Sequence, residues 1–319
     1  MNNTERTVAA TDLGAAMLVS YGVDEPTIGV LVDGVVADLD AASGMSSRND
    51  ATLTMNVVID DWRYWSPIVQ RLALALREQT AEIGQPATAV QLRAPIPRPR
   101  RNPFLIAGNY RAHVEAGERA TGVPLSQRKQ AIFFTKPSGT VIGPDDEILV
   151  DPGVTQQVDY ENELVVVIGR GGRDITPDVA MDFVFGYMIG NDVSARDIQL
   201  VKPTTDFLRG KGLDTFFPTG PGIVLRDGFP HRHERTLRTF VNGSLRQEAI
   251  LGDMTRDVPQ IIADLSRGLS LEPGDIIATG TPSGVQVESP SPEWLRDGDV
   301  VACQIEGIGT LVNTVREIV

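Results

Sequence analysis

Asp159-Tyr160-Glu161-Asn162-Glu163 runs without a break into Leu164-Val165-Val166-Val167-Ile168 and then Gly169. The five apolar residues are mostly β-branched and end at a Gly-rich turn, which predicts a strand covered on both faces. Side chains alternate along a strand, so Asp159, Glu161 and Glu163 are expected to share one face. Carboxylates that crowd together beside a buried strand repel one another and lose hydration. They cannot all ionise unless a cation sits among them. No Lys or Arg lies between Lys136 and Arg170 to provide one locally. An all-oxygen donor set suits a hard divalent ion, so Mg2+ is expected, with Mn2+ or Ca2+ as alternatives.

The same stretch continues to Gln199 with further polar candidates. Thr176-Pro177-Asp178 carries the signature of a helix start, a capping hydroxyl followed by Pro and an acid. A helix through Val179, Phe183, Val184 and Tyr187 is predicted, ending near Gly190-Asn191-Asp192. Asp192 is the candidate third ligand beside Glu161 and Glu163. Arg196 and Gln199 follow at spacings of four and seven, which a helical turn would bring to one side. On spacing alone, Glu-x-Glu also fits a solvated strand face and Asp192 a helix cap.

The remaining chain reads as short β runs with few helices. Met17 to Leu39 predicts strands with a hairpin turn at Asp33-Gly34. Ser66 to Ile83 predicts an amphipathic helix, from apolar residues at Ile68, Val69, Leu72, Leu76 and Ile83. Four prolines between Ala94 and Pro103 exclude helix or central strand, so a domain boundary is placed there. A small N-terminal α/β domain would span 1–94, its first dozen residues disordered, and a catalytic domain 95–319. Phe104 to Gly108 predicts a strand that delivers Asn109, Tyr110, Arg111 and His113 to a helix from Val114 to Thr121. His113 fits a general base there, or a surface His at a helix start. Lys211 stands between two glycines. A turn-rich loop is predicted at Phe217 to Gly222, ahead of a strand from Ile223 to Leu225. Asn242-Gly243 predicts a second hairpin. Thr279-Gly280-Thr281-Pro282-Ser283-Gly284 offers backbone N–H groups and hydroxyls to an anion, or is simply a turn. Together these runs predict an α+β fold that is mostly β.

Charge narrows the partners. The net charge of −13 argues against nucleic acid and against an anionic membrane surface. One cysteine rules out an internal disulfide and suits a reducing compartment. No apolar run reaches the roughly 18 residues that span a bilayer. A polar start without the apolar core of a signal peptide leads to the expectation of a cytoplasmic protein.

In joint order these motifs resemble the fumarylacetoacetate hydrolase family over roughly Ile96 to Val319. The matching pieces are Asp159 to Leu164, Gly186-Tyr187 with Asn191 to Asp197, Lys211 with Asp214, Phe217 to Pro221, and Thr279 to Val285. The resemblance implies a β-roll catalytic fold, usually a homodimer, with Mg2+ or Mn2+ on Glu161, Glu163 and Asp192. It implies that Arg196, Gln199 and Lys211 bind a small carboxylate substrate, that Thr281 binds its carboxylate or holds a bridging group, and that His113 is the base. Tyr110, beside His113, joins them as a candidate substrate contact, and Lys211 is also a candidate catalytic cation. Two positions depart from the family pattern. Ala116 stands where a lid Glu is common three residues after the His, which makes Glu115 the candidate substitute, or Glu118. Gln286 stands where the family's loop usually has Gly.

The implied chemistry is metal-dependent hydrolysis of a carbon–carbon bond in an acylpyruvate or related β-diketo acid. The Ala116 departure motivates the alternative: decarboxylation, tautomerisation or isomerisation, or hydration of a 2-oxo acid through its enolate. A metal-stabilised binding protein without turnover is the non-enzymatic alternative.

Overall fold

The structure, a computed structural model, describes residues 16–24, 26–43, 53–78, 83–121, 130–201 and 205–318. The expected disordered start lies outside the described residues.

The acidic strand Asn162–Ile168 is buried at all seven positions, as its apolar run predicts. Its partner in sequence and in space is Val184–Asn191, antiparallel to it, with Asn162 opposite Asn191 and Glu163 opposite Gly190. This partner strand overturns the predicted helix. Thr176 to Asp178 begins only turns and a short 3-10 segment, Ala180–Phe183, before the chain extends. All eight strand positions are buried, so no alternation marks the strand. The apolar residues therefore imitated helical spacing.

These two strands form the middle of a 12-stranded sheet. On one side the acidic strand pairs with Ile276–Ala278, which pairs in parallel with Phe104–Ala107. On the other side the partner strand pairs with Phe217–Leu225. That last element is one nine-residue strand rather than a loop followed by a short strand. Its prolines are accommodated by a register shift opposite Tyr187/Ile189 and by a cis Gly220–Pro221 bond. Irregular pairing is where a sheet tolerates residues without an N–H.

Met17–Tyr21 pairs with Phe217–Leu225, so the N-terminal strands continue the same sheet. The Asp33-Gly34 turn is present, with φ of 47° and 80°. The amphipathic helix is Trp62–Glu78, and Trp62 meets Phe185 edge to face at 5.0 Å. A second, five-stranded sheet contains the Asn242-Gly243 hairpin and packs against the first. The Asn162 side chain reaches across to it, donating to the Arg238 and Gln304 carbonyls. Such an arrangement is α+β and mostly β, as expected.

Two short helices complete the site's scaffold, Arg196–Gln199 and Phe207–Lys211. Gly210 lets them touch: a Cβ there would lie 2.4 Å from Gln199 Cβ and 2.5 Å from its Cα. Gly210→Ala is therefore expected to push apart the helices that carry Arg196 and Lys211. The expected loss is about 1–3 kcal/mol of stability, read by urea unfolding.

Candidate active site

Thirty residues separate Glu161 from Asn191, and strand pairing removes that distance. The Asp192 N–H donates to the Glu161 carbonyl at 2.8 Å, and the Glu161 N–H to Asn191 Oδ1 at 2.9 Å. The open end of the hairpin thus sets Asp192 beside Glu161, with Glu163 two residues along the same strand. Carboxylate oxygens of the three lie within 4.8 Å of one another, and all three residues are buried. Asp159 does not join them. Tyr160 and Glu161 lie outside both strand segments, so alternation breaks. Asp159 instead accepts from Arg196 Nε at 2.9 Å and from the Gln286 and Val287 N–H groups.

The cations that the local sequence lacks arrive from elsewhere in the chain. Lys211 Nζ donates to Glu161 Oε2 at 2.9 Å, Asp192 Oδ2 at 2.6 Å and Ser194 Oγ at 2.9 Å. Arg196 Nη2 lies 2.6 Å from Glu161 Oε1, and Nη1 donates to Gln199 Oε1 at 2.8 Å. Lys136, at the end of strand Ile132–Thr135, is wholly buried and donates to Asp192 Oδ1 and to the Val193 carbonyl. Crowding alone therefore does not demand an ion, because three side-chain cations face the four carboxylates.

The charge is shared unequally. Burial disfavours ionised Glu161, but Lys211, Arg196 and His113 outweigh it and hold its carboxyl well below the usual carboxylate range. Glu163 goes the other way: burial, then Asp192 and Glu161, push its carboxyl well above that range. Burial pushes the Lys136 ammonium down to about 8, against the pull of Asp192. Glu163 is the carboxyl least served by these cations. A divalent ion would complete its surroundings, and the oxygen-only donor set fits such an ion.

Glu161 and Glu163 line a cavity of about 220 Å³ together with His113, Arg196, Gln199, Lys211 and Thr281. Tyr110, the other candidate contact, is not among its lining residues; it is buried, with a hydroxyl that has no hydrogen-bond partner among the described residues. The Thr279 to Gly284 loop turns a backbone donor onto the site's own acid: the Gly280 N–H donates to Glu163 Oε2 at 2.7 Å. Thr281 Oγ1 accepts from Gln247 Nε2 at 2.9 Å.

His113 lies in the first turn of helix Arg111–Thr121, with its imidazole half-buried. Its carboxylate partner is Glu288, whose Oε1 is 2.5 Å from Nδ1. Glu115 is exposed on the helix, and the side chain of Glu118 lies outside the described residues. The pairing expected within the helix is thus made across space. Glu288 Oε2 also accepts from the Gly284 N–H at 2.8 Å, so one carboxylate ties the Thr279 to Gly284 loop to the His113 helix. Gln286 has a structural role of its own, since its Nε2 donates to the Tyr160 hydroxyl at 2.8 Å. Sequence reading missed Lys136 and Glu288. A lone Lys ending the apolar run Ile132-Phe133-Phe134 was the only available sign of the first, and nothing local marked the second.

Fold and site together define a class: a β-rich α+β scaffold whose cavity floor is a buried carboxylate trio set among cations. Residues 103–316 match the model for the fumarylacetoacetate (FAA) hydrolase C-terminal domain, and the chain belongs to the fumarylacetoacetate hydrolase family. Oxaloacetate tautomerase YisK of Bacillus subtilis is 44% identical over 227 residues, 71% of this chain and 73% of its own length. The fumarylacetoacetate hydrolase structure from psychrophilic Exiguobacterium antarcticum superposes with a TM-score of 0.76 at 36% identity, covering 95% of this chain and 100% of its own. Maleylpyruvate hydrolase from Sphingobium sp. SYK-6, solved with manganese(II) and pyruvate, gives a TM-score of 0.73 at 29% identity, covering 94% and 99%.

Two outcomes test this reading of the site. At Mn2+ 100-fold above its Kd, the folded protein should gain about 2.7 kcal/mol from binding, and Glu163→Gln should gain almost none. Denaturant unfolding with and without metal measures the difference. In metal-free buffer, Lys136→Met should lose about 1–3 kcal/mol, because it removes one of the two ammonium groups on the buried Asp192 carboxylate and leaves Oδ1 unpaired, while Lys211 stays on Oδ2.

Proposed function

We propose that this protein catalyses proton transfer on a 2-oxo acid, interconverting the keto and enol forms of an oxaloacetate-like substrate. The observation that carries this reading is the shared cavity. Glu161 and Glu163 of the trio line it together with His113, and Asp192 stands directly behind them. A divalent ion held by Glu161, Glu163 and Asp192, proposed as Mg2+, would act as a Lewis acid for the enolate oxygens. The name of the Bacillus relative supports this reading.

The remaining roles belong to the chain's own side chains. His113 takes a proton from the carbon next to the 2-oxo group and delivers it to the enolate oxygen, and the reverse direction returns it from oxygen to carbon. Glu288 orients the imidazole through Nδ1 and offsets the charge it gains, leaving Nε2 for substrate. Arg196 and Lys211 place positive charge where the oxyanion forms. Gln199 holds the Arg196 guanidinium, and Thr281 offers its hydroxyl to the substrate carboxylate.

A second reading is hydrolysis of an acylpyruvate carbon–carbon bond, and the His113–Glu288 pair is what favours it. The same base can take a proton from water that attacks the distal carbonyl, and the Sphingobium structure with pyruvate is named a hydrolase. NMR of the protein with Mg2+ and oxaloacetate or an acylpyruvate separates the two. Keto–enol exchange without new carboxylic acids supports the first reading; stoichiometric acid and pyruvate support the second. In either case His113→Asn should lower kcat about 10²- to 10⁴-fold. Glu288→Gln should do the same to a lesser degree, whereas Glu115→Gln should leave kcat within about twofold.

Three surrounding features are proposed with it: a homodimer, a cytoplasmic setting and folding units that divide at residues 94/95. No described helix is long and apolar enough to cross a membrane. Light scattering tests the first, fractionation the second and limited proteolysis the third.

A further inference from the structure

Beyond the acids the cavity turns apolar. Ile132 and Phe134, two apart on strand Ile132–Thr135, both line it, as do Leu200 and Phe207. Phe134 and Phe207 stack with ring centres 4.7 Å apart and planes 16° from parallel, and both residues are only half-buried. Phe207 and Lys211 lie four apart on helix Phe207–Lys211, so one short helix carries an ammonium of the charged floor and a ring of the apolar wall. Lys211 Nζ stands 5.3 Å from the centre of the Phe134 ring, so aromatic surface begins where the charged floor ends.

Among the described residues, the arginine and lysine side chains that line the cavity are each paired with a carboxylate of the protein. Arg196 is engaged with Asp159 and Glu161, and Lys211 with Glu161 and Asp192. Arg256 is engaged with Asp264, which lines a neighbouring cleft. The wall therefore offers the far end of a substrate apolar contact rather than charge. Oxaloacetate carries its second carboxylate directly on carbon 3 and is too short to cover a wall that lies beyond the floor. Rings that face a cavity leave apolar surface in water, and a flat apolar group laid against them removes it.

We infer that the site also enolises aryl-substituted 2-oxo acids, of which phenylpyruvate is the simplest, and that Phe207 is the residue that selects them. The inference rests on the 2-oxo acid reading of the site and adds a second substrate class to it. The 2-oxo acid head stays on the charged floor, and the ring on carbon 3 packs against the Phe207 wall. A proton leaves carbon 3 for His113 and passes to the 2-oxo oxygen, so the carbon skeleton is unchanged and no co-reactant is needed. The enol double bond conjugates with the ring and holds it coplanar. A stacked wall therefore grips the enol more closely than the bent keto form.

Phenylpyruvate and 2-oxobutyrate separate the wall from the floor, because they share the 2-oxo acid head and differ by a phenyl group in place of a methyl on carbon 3. Exchange of the carbon-3 proton in D2O with Mg2+ reports enolisation of both, and of oxaloacetate, by NMR; calorimetry reports their Kd. The wild-type protein is expected to favour phenylpyruvate over 2-oxobutyrate in KM by about 10- to 100-fold. Phe207→Ala should raise the phenylpyruvate KM about 10-fold and leave the KM of the other two acids within about twofold. Equal KM values for phenylpyruvate and 2-oxobutyrate in the wild type, or equal losses on all three acids in a Phe207→Ala protein that melts normally, overturn the inference. Should Phe207→Ala melt early, Phe207→Leu, which keeps apolar bulk without the flat ring, decides by the same ratio. If the wild-type protein exchanges none of the acids, oxaloacetate included, the enolisation reading fails, and the ratio of the Kd values for phenylpyruvate and 2-oxobutyrate still decides for or against the aromatic wall.

Discussion

Four buried carboxylates facing three buried cations is the arrangement on which the rest of this molecule depends. Asp159, Glu161, Glu163 and Asp192 sit at the open end of one hairpin, and Lys136, Arg196 and Lys211 close on them from three other segments. Taking any of these charges from water unpaired would be strongly unfavourable. Mutual pairing is therefore a condition for folding as well as a feature of the site. Glu163 is the member whose carboxyl is pushed upward, and a divalent ion would complete its surroundings.

The division of labour follows from the scaffold. The charged floor stands on paired strands, fully buried, with its register set by Asn162 opposite Asn191. The proposed proton-transfer group stands on a helix, and its carboxylate partner comes from a short 3-10 turn after the Thr279 to Gly284 loop. Glu288 spans the two, touching both His113 and the Gly284 N–H. The base can therefore be ordered together with the loop that offers Thr281 to the cavity. The carboxylates that hold charge and the imidazole proposed to move a proton sit on different elements, which lets the second vary without disturbing the first.

Membership of the family accounts for the floor of the site but leaves the reaction open, because enolate stabilisation serves tautomerases and hydrolases alike. Ala116 shows how a departure can mislead when read along the chain. The absent helix carboxylate looked like a weakened base, yet a carboxylate from 175 residues further on stands against the same imidazole.

Much of this was legible in the residues themselves. The run Leu164 to Ile168 announced a buried strand, and Asp33-Gly34 and Asn242-Gly243 announced hairpins, because composition and local turn chemistry act over a few residues; Asp192 joined Glu161 and Glu163 through residue type and the family resemblance, since thirty residues separate the two strand ends. The helix expected after Thr176 failed for the complementary reason: where every position is buried, neither period is written in the sequence. Lys136 against Asp192 and Glu288 against His113 are meetings between segments that share no local pattern. Only the packed sheet decides them, since it is strand register and burial that determine which distant charge must neutralise which.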